Sequence, residues 1–191
     1  MEHAIILASN SPRRRELLAQ IGLAFTVAPT DVDERVRPGE SPQGYAERLA
    51  LDKARAAALR VKAGIVIAAD TIVVAGGTIL GKPADAEDAR RMLKELSGRE
   101  HEVVTGLAVM DTTTGRTSVR MSTTKVCFRT LSEREITAYI ATGEPLDKAG
   151  AYGIQERGAL LVDRIEGCYT NVVGLPLSLL GEMLRNFGIT L

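Results

Sequence analysis

The chain has no surplus of charge of either sign. Lys plus Arg number 24 and Asp plus Glu number 24. Proteins held on nucleic acid by bulk charge carry a basic excess, so stable nucleic-acid binding is not expected and a small substrate is. Cysteine is scarce. Cys127 and Cys168 have no metal-ligand spacing, which excludes a thiolate metal site and a disulfide framework and fits reduced cytosolic thiols. Two histidines, His3 and His101, cannot build a His-rich metal site, so any metal would be held by oxygen ligands, which favours Mg2+ or Mn2+. No apolar run approaches the length that crosses a bilayer. The opening stretch Met1–Ala8 lacks a basic n-region and runs into polar Ser9–Arg15, which argues against a signal peptide and for a cytoplasmic location without a membrane partner. No Walker-A lysine follows a glycine-rich loop, so P-loop chemistry is not indicated.

What is present is an ordinary globular chain of 191 residues, 45% hydrophobic and 25% charged. That length and balance suit one domain, or one domain with two lobes, around a sizeable core. Strand-like and helix-like segments alternate, so the expected fold class is α/β in the mixed α+β sense. Ala4–Leu7 reads as a strand, and Ser11 caps a helix with Pro12 at its first position, ending near Gly22. Phe25–Ala28 reads as a strand and Thr30–Gly39 as a loop. Ser41-Pro42 opens a long Ala-rich helix. Ile65–Ala69 is a buried strand ending at Asp70. Ile72–Ala75 and Thr78–Leu80 form a hairpin about Gly76-Gly77. Asp85–Leu96 is helical and closed by Gly98. Val103–Met110 and Thr117–Phe128 are antiparallel strands, and Ser132 with Glu135 has capping-box spacing. Leu160–Ile165 and Tyr169–Val173 read as strands, and Pro176 opens a last helix ending near Gly188.

Three stretches carry candidate chemistry. In Ser9-Asn10-Ser11-Pro12-Arg13-Arg14 a strand turns into a helix start, where free N–H groups, the helix dipole, the hydroxyls of Ser9 and Ser11 and the guanidinium groups of Arg13 and Arg14 would together bind an anion. The same pattern also reads, more commonly, as a capped helix with solvated arginines. Asp70 follows a buried strand run, a frequent base or metal position, and equally a solvated turn residue. Asp31, Asp33 and Glu34 make an oxygen-rich magnesium site only if their loop folds towards Asp70. Lys53, among Ala50, Ala54 and Ala57, and Lys82, in Gly81-Lys82-Pro83, add cations of the kind phosphoryl transfer needs. Asp147-Lys148-Ala149-Gly150-Ala151-Tyr152-Gly153-Ile154-Gln155 combines charge with small residues. Its Gly150 and Gly153 would let backbone approach a ligand, and Gln155 can donate and accept at once. A surface turn is the plain alternative.

Taken together, these stretches resemble the Maf family. The resemblance rests on Ala8-Ser9-Asn10-Ser11-Pro12-Arg13-Arg14, Glu16-Leu17-Leu18, Leu49-Ala50 with Lys53-Ala54, and Ala69-Asp70-Thr71. It continues through Leu80-Gly81-Lys82-Pro83, Leu96-Ser97-Gly98 with His101, Thr105-Gly106, Asp147–Gln155 and Val173-Gly174-Leu175-Pro176-Leu177, in family order over nearly the whole chain. It implies an inosine-triphosphate-pyrophosphatase-like fold with two lobes around a cleft, a homodimer, and divalent-metal-dependent cleavage between the α- and β-phosphates of a nucleotide. It implies that Asp70 is the proton acceptor and that Arg13, Thr71 and Gln155 bear on substrate choice. The Ala-Tyr-Gly-Ile-Gln segment looks like the dTTP/UTP branch. On this reading Asp70, Lys53 and Lys82 are catalytic. Ser9, Ser11, Arg13, Arg14, Thr71, Lys148 and Gln155 bind substrate, and Asp70 and Glu34 hold Mg2+ or Mn2+. The competing expectations are a non-catalytic regulator of septum formation and a pyrophosphatase for purine or modified nucleotides.

Overall fold

The structure, a computed structural model, describes residues 4–191. Met1, Glu2 and His3, part of the stretch read above for targeting signals, lie outside them. Seven strands form one mixed sheet in the order β2-β1-β3-β5-β6-β7, with β4 added to β3. Contacts divide the chain into two compact units. One holds the residues up to Asp70, Thr105–Ser122 and Gly174–Leu191, and the other holds Thr71–Val104 and Thr123–Val173.

In the first unit β1 (Ile5–Leu7) lies parallel to β2 (Thr26–Val27) and to the start of β3 (Ile65–Ala75), with Leu7 opposite Val27 and Ile67. The Ile-Ile-Leu and Ile-Val-Ile runs are buried throughout, as strands covered on both faces must be. Helix α1 (Pro12–Gln20) follows β1, and α2 (Pro42–Ala58) is capped by the Ser41 hydroxyl, which accepts the Gly44 N–H. One face of α2 is Ala46, Ala50, Ala54 and Ala57, all fully buried. Ala50, Ala54 and Ala57 pack with Ile6, Ala8, Val66, Ala68 and Ala108. These small side chains let the helix lie close on the sheet. At Gly106 a Cβ would come within 2.1 Å of the Ala46 carbonyl oxygen, so helix backbone rests directly on strand backbone there.

In the second unit the far end of β3 pairs antiparallel with β4 (Thr78–Leu80) about Gly76 and Gly77, both with positive φ. Helix α3 (Ala86–Leu96) is capped by Asp85, and α4 (Glu133–Ile140) carries the complete Ser132–Glu135 capping box. Val73, Leu80, Met92, Leu93, Phe128, Ile136, Tyr139, Tyr152 and Leu161 belong to one core. Strand β7 (Val162–Glu166) pairs antiparallel with β6 (Thr117–Phe128). Strands β3, β5 (Glu100–Asp111) and β6 contribute residues to both units.

Three expectations are corrected. The runs read as Ile65–Ala69 and Ile72–Ala75 are one eleven-residue strand, β3, so Asp70 lies inside a strand and not at its end. Leu160 and Leu161 belong to a 3-10 turn over Glu156–Leu161, and β7 starts only at Val162. Tyr169–Val173 is a helix, α5. Its β-branched residues favour a strand, but long-range hydrogen bonds override that preference. The Thr124 hydroxyl donates to the Cys168 carbonyl at 3.1 Å and accepts the Cys168 N–H at 3.0 Å, and buried Asn171 donates to the Val103 carbonyl at 3.0 Å. The final helix, α6, spans Leu177–Asn186 and buries Leu180, Met183 and Leu184.

Candidate active site

The turn from β1 into α1 is built from hydroxyls. Ser9 Oγ accepts the Ser11 N–H at 3.1 Å and Arg14 Nη1 at 3.3 Å. Ser11 Oγ caps α1 by accepting the Arg14 N–H at 3.4 Å, and Pro12 supplies a first helical residue that needs no acceptor. Arg14 Nε donates to the Gly174 carbonyl at 2.7 Å. Burial lowers the pKa of the Arg14 guanidinium from its ordinary value; Asp70 most strongly, and Glu34 more weakly, oppose that shift, while neighbouring Arg13 adds to it. An anion arriving here would meet two arginines and a helix N-terminus.

The second cluster is a cation between two carboxylates. Lys53 Nζ lies 2.6 Å from Asp70 Oδ1 and 2.8 Å from Glu34 Oε1. The Lys53 and Asp70 side chains are 14% and 12% exposed, whereas Glu34 is 60% exposed. The Lys53–Asp70 pair is therefore shielded and strong, and Glu34 closes it from the solvent side. Val66, Ala68 and Asp70 alternate along β3, so the pleat that sends Val66 and Ala68 against α2 sends Asp70 there too. The loop bearing Glu34 is pinned to the same helix. Tyr45 Oη donates to the Glu34 carbonyl at 2.6 Å, Arg48 Nη2 to the Arg35 carbonyl at 3.1 Å, and Arg48 Nε to Glu40 at 2.5 Å. Burial, reinforced by Asp70 and Glu34, raises the Tyr45 phenol and keeps it a donor.

The acidic cluster of that loop divides. Asp31 and Asp33 are exposed, and Asp33 pairs with Arg35 at 2.7 Å, which holds its carboxyl well below the usual range. Only Glu34 reaches the lysine. Asp70 and Glu34 are hard oxygen donors of the kind a small divalent cation takes, and here their facing oxygens hold the Lys53 ammonium. No group of three or more His, Cys, Asp or Glu among the described residues is arranged to hold a metal. A magnesium ion would thus take two carboxylates from the protein and its remaining oxygens from phosphate and water, its usual arrangement at nucleotide sites.

The remaining candidates lie in the second unit. Thr71 follows Asp70 in β3 and is half-buried, and Lys82 is exposed beside buried Pro83. The Gly150 N–H donates to the Gly81 carbonyl at 3.0 Å, tying the peptide before Lys82 to the following turn. The glycines of that turn are needed for internal packing. A Cβ on Gly150 would sit 2.9 Å from Val73, and one on Gly153 2.9 Å from the Lys148 stem. The turn is also not superficial, since Gly150, Ala151 and Tyr152 are buried. Lys148 Nζ donates to the Glu144 carbonyl at 2.7 Å and to Asp147 at 2.8 Å. Gln155 is half-buried, and its amide makes no hydrogen bond among the described residues.

Ser9, Ser11, Arg13, Arg14, Glu34, Lys53 and Asp70 thus share the first unit, and Thr71, Lys82, Lys148 and Gln155 the second. Sequence reasoning missed the supports: Tyr45, Arg48 and the Gly174 carbonyl. None has a local signature. A tyrosine one turn into an amphipathic helix reads as core, which Tyr45 also is.

A family profile described as Maf-like protein matches residues 4–187. The chain belongs to the Maf family. Among Maf relatives, the protein named dTTP/UTP pyrophosphatase of Moorella thermoacetica is 55% identical over 97% of this chain and 95% of its own. That of Geobacter metallireducens is 54% identical over 96% of each chain. That of Anaeromyxobacter dehalogenans (strain 2CP-C) is 52% identical over all of this chain and 97% of its own. Among solved structures, a nucleoside-triphosphatase / dITP/XTP pyrophosphatase of Mycobacterium abscessus aligns with this Maf chain at a TM-score of 0.40. It has 18% identity over 65% of this chain and 74% of its own, a likeness too loose to bear on function.

Proposed function

We propose that this Maf protein is a divalent-metal-dependent nucleoside triphosphate pyrophosphatase that splits dTTP and UTP into the monophosphate and pyrophosphate. The observation that carries the reading is Lys53 held between Asp70 and Glu34, in the same unit as the hydroxyl-and-arginine turn at Ser9–Arg14. Relatives above 50% identity that are named dTTP/UTP pyrophosphatases support the substrate.

Asp70 accepts a proton from a water molecule whose oxygen forms a bond to the α-phosphorus. The bond from that phosphorus to the oxygen leading to the β-phosphate breaks, and pyrophosphate leaves with that electron pair. Arg13, Arg14 and the N-terminus of α1 take up phosphate charge, with Ser9 and Ser11 fixing the turn. Lys53 orients Asp70 and neutralises charge beside it. Lys82 adds a second cation for the leaving group, and Lys148 is assigned to substrate binding. Asp70 and Glu34 would hold Mg2+ or Mn2+, which supplies charge neutralisation at the phosphates when bound. Thr71 and Gln155 are assigned to base choice. The enzyme acts on the cytoplasmic nucleotide pool as a homodimer.

The test is pyrophosphate release from a panel of natural and modified triphosphates with Mg2+ or Mn2+, alongside sedimentation for the dimer. Turnover of dTTP and UTP above CTP and the purines is expected. Absence of metal-dependent turnover for every nucleotide would overturn the assignment.

A further inference from the structure

The ammonium between Asp70 and Glu34 stands on the oxygens that a metal would need. Lys53 Nζ donates to Asp70 Oδ1 at 2.6 Å and lies 2.8 Å from Glu34 Oε1. A Mg2+ ion held by the same two oxygens would sit about 2 Å from each, so ammonium and metal cannot occupy that point together. No group of three or more His, Cys, Asp or Glu among the described residues is arranged to hold a metal, so a third carboxylate does not offer the ion another place. Arg14 adds positive charge. Burial lowers its pKa, and Asp70 and then Glu34 oppose that shift, which puts the guanidinium within electrostatic reach of both carboxylates. The charges of Lys53, Arg14, Asp70 and Glu34 therefore cancel before any metal arrives. Nor does the ammonium have an easy way out. The Lys53 side chain is 14% exposed and shares a helix face with fully buried Ala50 and Ala57. The loop bearing Glu34 is tied down over it by Tyr45 and Arg48. Leaving both carboxylates without a new anionic partner would strand a shielded charge. A phosphate group supplies that partner.

We infer that Lys53 competes with the divalent cation for Asp70 and Glu34, so that metal settles on these carboxylates only with a phosphate group that draws the ammonium away. The pair is then closed to free Mg2+ or Mn2+ and open to metal that arrives with a nucleotide. Coupling of this kind is reciprocal. Phosphate bound to the ammonium frees the carboxylates for metal, and metal bound to the carboxylates frees the ammonium for phosphate. The inference rests on the pyrophosphatase reading for the identity of the anion, and on the two Lys53 contacts for the competition.

The test titrates Mn2+ alone, with no nucleotide, into the parent, Lys53→Met, Lys53→Gln and the double variant Lys53→Met/Asp70→Asn. Bound metal is read from the loss of the free-ion electron paramagnetic resonance signal, with thermal melting alongside. Lys53→Met is expected to bind Mn2+ about tenfold more tightly than the parent, or better, since a positive charge leaves the immediate neighbourhood of a dication. The double variant should lose that gain, which locates the new binding at the carboxylate pair. Mn2+ should raise the melting temperature of Lys53→Met and leave that of the parent where it was. Equal or weaker Mn2+ binding by Lys53→Met overturns the inference, because the ammonium would then not be holding the metal out. So does a gain that survives loss of the Asp70 carboxylate. If Lys53→Met fails to fold, Lys53→Gln carries the same comparison, since it removes the charge and keeps hydrogen-bond donors. Failure of the underlying reading shows elsewhere: the parent would hydrolyse no nucleotide with any metal, whatever Lys53 does to Mn2+ binding.

Discussion

At Lys53 one ammonium serves two carboxylates, and only one of them, Asp70, is shielded from solvent. Asp70→Asn keeps the shape of the side chain and removes the charge proposed to accept a proton. Turnover is expected to fall by about a hundredfold or more, the range for a lost general base. The chain should stay folded with a lower melting temperature, because the shielded Lys53 ammonium keeps only the exposed Glu34 as a charged partner. Activity near that of the parent would remove Asp70 from the mechanism. His101 supplies a different kind of measurement. It is buried, its Nε2 lies 2.7 Å from Tyr152 Oη, its Nδ1 has no hydrogen-bond partner among the described residues, and it packs edge-on against Phe128 and Tyr152. Burial pushes its pKa down from 6.5 to about 4. The unfolded chain therefore binds a proton that the folded chain refuses between those values. The stabilisation from neutral His101 is fully present above pH 6.5 and is lost as pH falls towards 4. Denaturant melts should show His101→Gln losing about 2 kcal/mol less than the parent between pH 7 and pH 5, by proton linkage over that interval. Parallel pH profiles would show that His101 titrates normally.

Among the elements, those with a local signature were readable in the chain itself. Ser11-Pro12, Ser41-Pro42 and the Ser132–Glu135 box each start a helix where expected, and Gly76-Gly77 makes the hairpin. Tyr169–Val173 was not readable. Its strand-like residues are helical because Thr124, far off in sequence, fixes Cys168. The site divides in the same way. Strand-to-helix chemistry at Ser9–Arg14 and the lysine on the alanine face were visible, whereas the approach of Glu34 depends on Tyr45 and Arg48, which only the fold brings to the loop. Helix α2 carries Lys53 and sits on Gly106 without a side chain between them. Gly106→Ala should cost about 1–3 kcal/mol of stability, as overpacking does. It should also lower turnover by up to about a hundredfold, because a displacement near 1 Å at a catalytic group has that effect. A variant that melts lower yet turns over normally would show that the helix accommodates the methyl group without moving Lys53.

At the scale of the whole molecule, equal numbers of acidic and basic residues leave no general field to gather nucleotides. Substrate attraction must come from the local cations of the Ser9–Arg14 turn and the lysines. Raising ionic strength should therefore weaken KM for dTTP modestly while leaving kcat unchanged, checked by assays across salt concentrations. Because an ammonium already balances Asp70 and Glu34, the fold does not depend on a metal ion to quiet that pair. A chelator should stop hydrolysis and leave the melting curve where it was. Added Mg2+ alone should shift that curve little, and Mg2+ with a non-hydrolysable dTTP analogue should raise it, since only a ligand that binds the native state well stabilises by mass action. The protein would then be thermally indifferent to its metal until a nucleotide arrives.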